Sequence, residues 1–233
     1  GHLTLRVLYE DDWLLAIDKP AGQLSHPARS EQRGTAANAV AARYGVASEV
    51  GEPGEWGTAR IPPIRPVHRL DRETSGVLLF AREARAAGSL ARQRTAGTLR
   101  REYLALVSGR PAPAGDVDRP LGADPTHRTR QLVASDGRPA RTSYQVIQYG
   151  ADAALVAARL HTGRTHQLRV HMAAMGHPLL GDDLYGGPPC EGLERQALHA
   201  WRVRFTHPID GTPLTLVAPL PVDFRAAARR VLG

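Results

Sequence analysis

Short apolar segments with alternating polar positions recur along the chain and predict many β-strands. Residues 3–10 and 13–18 flank Asp11 and Asp12 and predict a β-hairpin, which Pro20 and Gly22 end. Residues 77–80 are all apolar and predict a buried strand. The same criteria predict further strands over residues 102–108, 130–134, 142–149, 153–160, 198–205 and 213–217.

Helical patterns are fewer and occur singly between the strands. Thr35 is a candidate N-cap for a helix over residues 36–44, and residues 83–95 are rich in Ala, Arg and Gln. Thr165 is a candidate N-cap for a helix that runs to Met175, and a basic helix is predicted over residues 223–232. Residues 45–66 predict a long loop, and residues 110–125 predict a turn-rich excursion. This mixture predicts an α+β fold.

Length and composition indicate one globular domain over residues 1–233. The chain has 233 residues and 42% hydrophobic content, which is enough for a core. No segment approaches the roughly 18 apolar residues of a membrane span, and no apolar signal-peptide core is visible. The single cysteine, Cys190, cannot form an internal disulfide. We therefore expect a cytoplasmic monomer without a membrane partner.

The excess of positive charge indicates a polyanionic partner. The formal net charge is +7 and the isoelectric point is about 10.3, which favours nucleic acid as the partner. Aromatic residues make up only 5% of the chain, so a surface built on many stacked bases is not expected.

The first dense motif covers residues 68–76, His-Arg-Leu-Asp-Arg-Glu-Thr-Ser-Gly. Arg69 and Arg72 flank the carboxylate of Asp71, and nearby cations favour its ionised form. Gly76 allows a tight entry into the following strand. Two interpretations have equal weight on this spacing: Asp71 is a nucleophile on a rigid loop, or it caps amides in a solvated turn.

The second motif covers residues 163–171, Gly-Arg-Thr-His-Gln-Leu-Arg-Val-His, where a helix is expected to open after a strand. Free helix amides together with Arg164, His166 and Arg169 would suit a phosphate or a carboxylate. His166 and His171 would lie about 140° apart on a helix, so they could not bind one metal ion together. We therefore expect no metal site.

Taken together, the motifs resemble the RluA-type pseudouridine synthases. The similarity runs through the first motif, Arg101 to Ala105, the second motif and the segments 18–22, 181–186 and 198–200, in the order found in that family. The resemblance implies an enzyme that converts uridines of structured RNA to pseudouridine without a cofactor. It also implies the pseudouridine synthase fold, a mixed and mostly antiparallel β-sheet with flanking helices, split by a catalytic cleft.

The family's site residues can be carried over position by position. The resemblance implies that Asp71 is the essential carboxylate, attacking either the sugar or the base. Tyr103 would stack on the uracil, Arg164 would pair with Asp71, and Leu168 would line the base pocket. The expected substrate-binding residues are His68, Arg69, Arg72, Leu168 and Arg101.

Two departures from the family accompany this resemblance. Arg101 stands where the family usually has lysine, which keeps the charge but loses the compact ammonium. The chain also begins almost at the catalytic core, so we expect a short member without the N-terminal S4-like RNA-binding domain.

Other functions compete with the pseudouridine synthase. The main alternative is a non-catalytic RNA-binding protein on the same scaffold, and another is a metal-dependent hydrolase that uses the His and Asp residues. For the synthase, the expected substrates are tRNA, ribosomal RNA or both. Retention of Asp71, Tyr103 and Arg164 together favours the enzyme.

Overall fold

The computed structural model describes residues 4–28, 31, 33–45 and 64–233. The chain divides into two compact units: the first combines Gly1–Leu99 with Arg202–Ala218, and the second combines Arg100–Trp201 with Pro219–Gly233. The single catalytic domain over residues 1–233 stays a prediction. Most of the long loop expected over residues 45–66 lies outside the described residues, as does Leu3 at the start of the hairpin.

The elements follow one another as strands with single helices between them. In chain order they are β1 (Val7–Glu10), β2 (Leu14–Lys19), α1 (Ala36–Arg43), β3 (Arg65–Pro66), β4 (Ser75–Ala81), α2 (Ala84–Ala96), β5 (Arg100–Ser108), β6 (Ala114–Asp118), β7 (Leu121–Ala123), β8 (Gln131–Val133), β9 (Arg141–Tyr149), β10 (Ala153–Leu160), α3 (Gln167–Ala174), β11 (Leu198–Thr206), β12 (Pro213–Val217) and α4 (Val222–Leu232). The predicted α+β fold with a large, mostly antiparallel sheet is confirmed.

In the first unit, β2 is the strand that positions the first motif. It pairs antiparallel with β1, as the hairpin prediction requires, and with β4 on its other side. Alternate residues of β2 and β4, such as Leu14 and Leu79, pack into a core with Leu90 of α2. Lys19 at the end of β2 lies opposite Gly76 at the start of β4. The end of β2 therefore lies beside the chain that leads from the first motif into β4.

In the second unit, the register of four antiparallel strands places Tyr103 on a defined face. Tyr103 of β5 lies opposite Ala158 of β10. Ala158 lies opposite Tyr144 of β9, and Tyr144 lies opposite Gly115 of β6. Residues directly opposite one another point to the same side of a sheet. Leu104, one position along from Tyr103, points to the other side and packs in the core that includes α4. Tyr103 therefore faces away from α4.

The structure corrects three expectations from the sequence. The excursion at residues 110–125 contains two strands, β6 and β7. The short strand β3 was not predicted. The cap of α3 is His166 in a left-handed conformation rather than Thr165, and it makes no side-chain capping bond. By contrast, the Thr35 cap of α1 is confirmed, since Thr35 forms a capping box with Asn38.

No helix among the described residues is long and apolar enough to cross a membrane.

A carboxylate–imidazole pair with a buried ring and a half-buried carboxylate joins two turns of the first unit. Nε2 of His207 donates to Asp11 at 2.7 Å, while its Nδ1 accepts the amide of Ile209. Partial burial raises the pKa of Asp11, but hydrogen bonds from His207, from the amide of Trp13 and from Tyr9 outweigh it, so the pKa of Asp11 lies below its ordinary value. The folded state therefore favours the ionised form of Asp11.

We predict that this pair makes the stability of the protein dependent on acid pH. Because the pKa of Asp11 is lower in the folded than in the unfolded chain, its contribution is complete above about pH 4 and is lost as the pH falls through the folded pKa. Asp11→Asn should lower the free energy of unfolding by about 1–2 kcal/mol at pH 6. Urea unfolding at pH 6 and pH 3 measures this; a difference between the proteins that does not shrink at pH 3 would refute it.

Candidate active site

Asp71 lies in a tight turn directly before β4. The amide of Thr74 donates to the carbonyl of Asp71 at 3.0 Å, which closes the turn. Gly76 has a φ of 120°, a conformation that residues with a side chain rarely adopt, so the glycine expected from the sequence is required there. Asp71 itself is half-buried. Its carboxylate is thus carried on a short segment of defined geometry.

The backbone on both sides of Asp71 is fixed by the segment that follows β2. Oγ of Ser25 donates to the carbonyl of Leu70 at 2.7 Å and accepts its amide at 3.0 Å. The carbonyl of Arg72 accepts the amide of Gly22 at 2.9 Å and the ammonium of Lys19 at 3.0 Å. With Leu70 and Arg72 both held, Asp71 has little freedom to move.

Lys19 is the least expected component of this arrangement. Its side chain is fully buried, and its Nζ also donates to the carbonyls of Pro20 and Gln23 at 2.8 and 2.7 Å. An ammonium has three protons to donate, and three carbonyl oxygens accept them here. The sequence analysis included Lys19 in the segment 18–22 but predicted no role for it. The available signal was that it is the single lysine of an arginine-rich chain.

The predicted substrate-binding residues of the first motif differ in exposure. His68 is 4% exposed, and its Nε2 accepts the amide of Leu79 at 3.2 Å, so its ring supports β4. Arg69 and Arg72 are exposed, and Arg72 forms an ion pair with Glu31 at 2.6 Å. The two arginines are thus available to a partner at the surface, and the binding role of all three residues stays a prediction.

The second unit carries the other predicted residues, and it brings several of them together. Arg101 and Tyr103 are 6% and 5% exposed, and register places both on the same face of β5. A Cβ on Gly163 would lie 2.7 Å from Nη1 of Arg101, so the guanidinium of Arg101 packs closely against Gly163. Leu168 is buried at the start of α3. Arg101 therefore lies against the turn that carries Arg164.

Arg164 is held at both its backbone and its side chain. Its amide donates to Oε1 of Gln167 at 3.0 Å, and its Nε donates to the carbonyl of Pro139 at 2.8 Å. Burial, and then the charge of Arg138, lower the pKa of Arg164, although a guanidinium stays protonated. Arg164 and Arg138 thus lie near each other beside this turn, and their two positive charges favour an anionic partner there.

A buried network of hydrogen bonds around Gln167 supports the turn that carries Arg164. Gln167 accepts from Thr162 at 2.7 Å and donates to Oγ1 of Thr142 at 3.0 Å, in addition to its bond with Arg164. Thr142 bonds Nδ1 of His171 at 2.8 Å, and Nε2 of His171 donates to the carbonyl of Arg119. Burial lowers the pKa of His171, so the imidazole is neutral and its Nδ1 accepts the hydroxyl proton.

Asp182 and the absence of grouped metal ligands bear on the acidic and imidazole side chains of the described residues. Asp182 is buried in a two-bond ion pair with Arg169, with distances of 2.8 and 2.9 Å. Its use in this pair agrees with a structural role for the loop of Asp182 and Asp183. Within residues 4–28, 31, 33–45 and 64–233, no three His, Cys, Asp or Glu side chains are grouped so that they could hold a metal ion.

We predict that Lys19 resists amine-reactive reagents in the folded protein. Because it is the only lysine and is fully buried, labelling of its side chain requires the segment around Gly22 and Arg72 to open. Mass spectrometry after brief reductive methylation should find the label only on the terminal amine. The same treatment in urea, where Lys19 should react, is the control. Methylation of Lys19 in buffer at the rate seen in urea would contradict the burial.

Comparison with known proteins agrees with the resemblance drawn from the motifs. The family described as RNA pseudouridylate synthase matches residues 13–174. Among curated relatives, the ribosomal large subunit pseudouridine synthase D of Nitrosomonas europaea is 41% identical over 98% of this chain and 66% of its own length. The protein of the same name from Xanthomonas campestris is 39% identical over 96% of this chain and 68% of its own. The chain thus spans about two thirds of the length of these relatives.

A solved structure matches over nearly the whole chain. The human RNA pseudouridylate synthase domain containing 4 aligns with a TM-score of 0.73 and 25% identity, covering 97% of this chain and 92% of the other.

The family match covers more than half of the sequence and includes Asp71, Tyr103, Arg164 and Leu168. The chain therefore belongs to the RluA-type family of RNA pseudouridylate synthases.

Proposed function

We propose that this protein is an RNA pseudouridine synthase that isomerises specific uridines of structured RNA, with Asp71 as its essential carboxylate. The observation that carries the proposal is the backbone frame around Asp71, in which Ser25 holds Leu70 while Lys19 and Gly22 hold Arg72. A turn that merely caps its own amides does not need its neighbours fixed from a different segment. A reacting carboxylate does, because misplacement by about 1 Å can cost on the order of 100-fold in rate.

The reaction requires few groups because it is an isomerisation. The N1–C1′ bond breaks, the uracil turns, and C5 forms a bond to C1′; the C5 proton then leaves and N1 gains a proton. Atoms and electrons balance without an oxidant or a second substrate. We propose that Asp71 supplies the nucleophile or the acid–base group at this centre.

Tyr103 and Arg164 are proposed to act on the same nucleotide as Asp71. A ring stacked on the flipped uracil would offset part of its unstacking, since base–aromatic stacking contributes about 1–3 kcal/mol. Tyr103 is buried and its position is fixed before RNA binds, so little ordering entropy would be lost. Arg164 would pair with Asp71, and Leu168 would line the base pocket. Arg101, His68, Arg69 and Arg72 are proposed to bind the RNA.

Ribosomal RNA of the large subunit is the substrate class that we propose should be tested first, and tRNA the second. The relatives from Nitrosomonas europaea and Xanthomonas campestris are named for that ribosomal subunit. The net charge of +7 suits a phosphate-rich partner. We further propose that the protein works as a monomer in the cytoplasm, where its single cysteine would stay reduced.

We predict that Asp71→Asn lowers pseudouridine formation at least about 1000-fold, which corresponds to about 4 kcal/mol in the barrier. The change keeps the shape of the side chain but removes the charge that the reaction uses. Single-turnover assays on transcribed ribosomal RNA fragments and tRNA, with pseudouridine mapped by chemical modification, measure the effect.

Glu73→Gln is the matched control, because it removes a carboxylate from the same turn without removing the proposed nucleophile. It should stay within about threefold of the unmodified protein, a change of less than 1 kcal/mol. RNA binding should be unchanged in Asp71→Asn. Retained turnover in Asp71→Asn would refute the role of Asp71. Tight RNA binding without turnover in the unmodified protein would favour the non-catalytic RNA-binding alternative.

A further inference from the structure

We propose that His166 and Tyr185 are positioning residues for Arg164: together they lock the turn of residues 164–167 in the conformation that presents the guanidinium. This inference rests on the role of Arg164 in the proposed function. It assigns no contact between RNA and either His166 or Tyr185. They act through the backbone of the turn.

The first observation is an unusual backbone conformation at His166. Its φ is 55° and its ψ is 20°, and it is the only residue other than glycine with positive φ in the described part of the chain. The amide of Gln167 donates to the carbonyl of Arg164 at 3.1 Å, so His166 occupies the third position of a four-residue turn. Glycine or asparagine usually fills this position when φ is positive. For a residue with a side chain this conformation is strained, and the surrounding structure must hold it.

The second observation is that the imidazole is held. Nδ1 of His166 shares a 2.6 Å hydrogen bond with the hydroxyl of Tyr185, and the two rings meet edge to face at a centroid distance of 5.6 Å. The same hydroxyl accepts the amide of Gln131 at 2.9 Å. The guanidinium of Arg169 lies 5.0 Å from the centre of the Tyr185 ring while it is bonded to Asp182. Tyr185 is therefore itself fixed.

The third observation links this lock to Arg164. Gln167 follows His166 and accepts the amide of Arg164 with its side chain at 3.0 Å, so the turn is closed at both ends. Gln167 is 2% exposed, and its amide group also bonds Thr162, Thr142 and the carbonyl of Arg141. Because Gln167 is fixed in the core, the backbone conformation of His166 determines the position of the Arg164 backbone. A structural role alone would not require histidine where glycine fits better.

The test separates positioning from stability with His166→Gly and Tyr185→Phe. Glycine adopts the same backbone conformation without strain, so His166→Gly should keep its melting temperature within about 3 °C of the unmodified protein. We expect its kcat to fall at least tenfold, with KM for an RNA fragment within about threefold, because the turn is no longer locked. Tyr185→Phe should lower kcat in the same direction. The double variant should be no slower than His166→Gly alone, since the hydroxyl acts through the imidazole.

His177→Ala is the matched control. His177 also anchors its ring to a backbone carbonyl of the second unit, that of Ser108 at 2.8 Å, but it is not bonded to the turn of residues 164–167. This variant should melt at a lower temperature and keep its kcat. An unchanged kcat in His166→Gly or in Tyr185→Phe would overturn the inference, and so would rate losses of the two changes that multiply in the double variant.

Arg164→Gln, assayed beside these variants, distinguishes the inference from the proposed function. Loss of activity in Arg164→Gln together with full activity in His166→Gly would overturn the positioning role while the function stands. Full activity in Arg164→Gln would leave nothing for His166 to position and would overturn the inference as well. Absence of pseudouridine formation by the unmodified protein would refute the proposed function itself.

Discussion

The buried ammonium of Lys19 is the interaction on which the candidate catalytic loop depends. Removing a charged group from water costs several kcal/mol unless hydrogen bonds compensate for it. Here the compensation comes from the carbonyls of Pro20, Gln23 and Arg72, and these are correctly placed only when β2, its following segment and the Asp71 turn are all folded. The energetic requirement of one side chain thus enforces the geometry of the turn. Opening the turn would take the carbonyl of Arg72 away from the ammonium and leave it with the carbonyls of Pro20 and Gln23.

In the second unit, a buried neutral amide, that of Gln167, holds a turn by the same need for hydrogen-bond partners. Gln167 is buried, and each of its polar atoms is bonded to a neighbour that belongs to a turn or a strand end. Buried amides are expensive to leave unsatisfied, at about 1–3 kcal/mol for each group. The turn that carries Arg164 is therefore also held by a buried polar side chain. In each unit, a polar side chain from the core fixes the backbone beside a candidate functional residue.

Local sequence signals predicted most elements, and the exceptions have physical reasons. Apolar patterns predicted β2, β9 and β10, and a continuous apolar run predicted β4, which is buried on both faces. β6 and β7 were missed because they have only five and three residues, one of them glycine in each, so they are too short to show a clear apolar pattern. The cap of α3 was misplaced because Thr165 has the better intrinsic propensity. The left-handed His166 depends on a tertiary bond to Tyr185 that no local pattern reveals.

The candidate residues were found through motif resemblance, while the groups that support them were not. Lys19 and Gln167 also stand in motifs of the resemblance, but their bonds to Arg72 and to Arg141 depend on the fold. The most direct test of the proposed function is a structure of the protein bound to an RNA stem–loop that carries the proposed target uridine. The account predicts Tyr103 stacked on the target uracil and the carboxylate of Asp71 within about 4 Å of the guanidinium of Arg164, the reach of a salt bridge. A target uracil bound away from Asp71, or an Arg164 that does not reach it, would contradict the account.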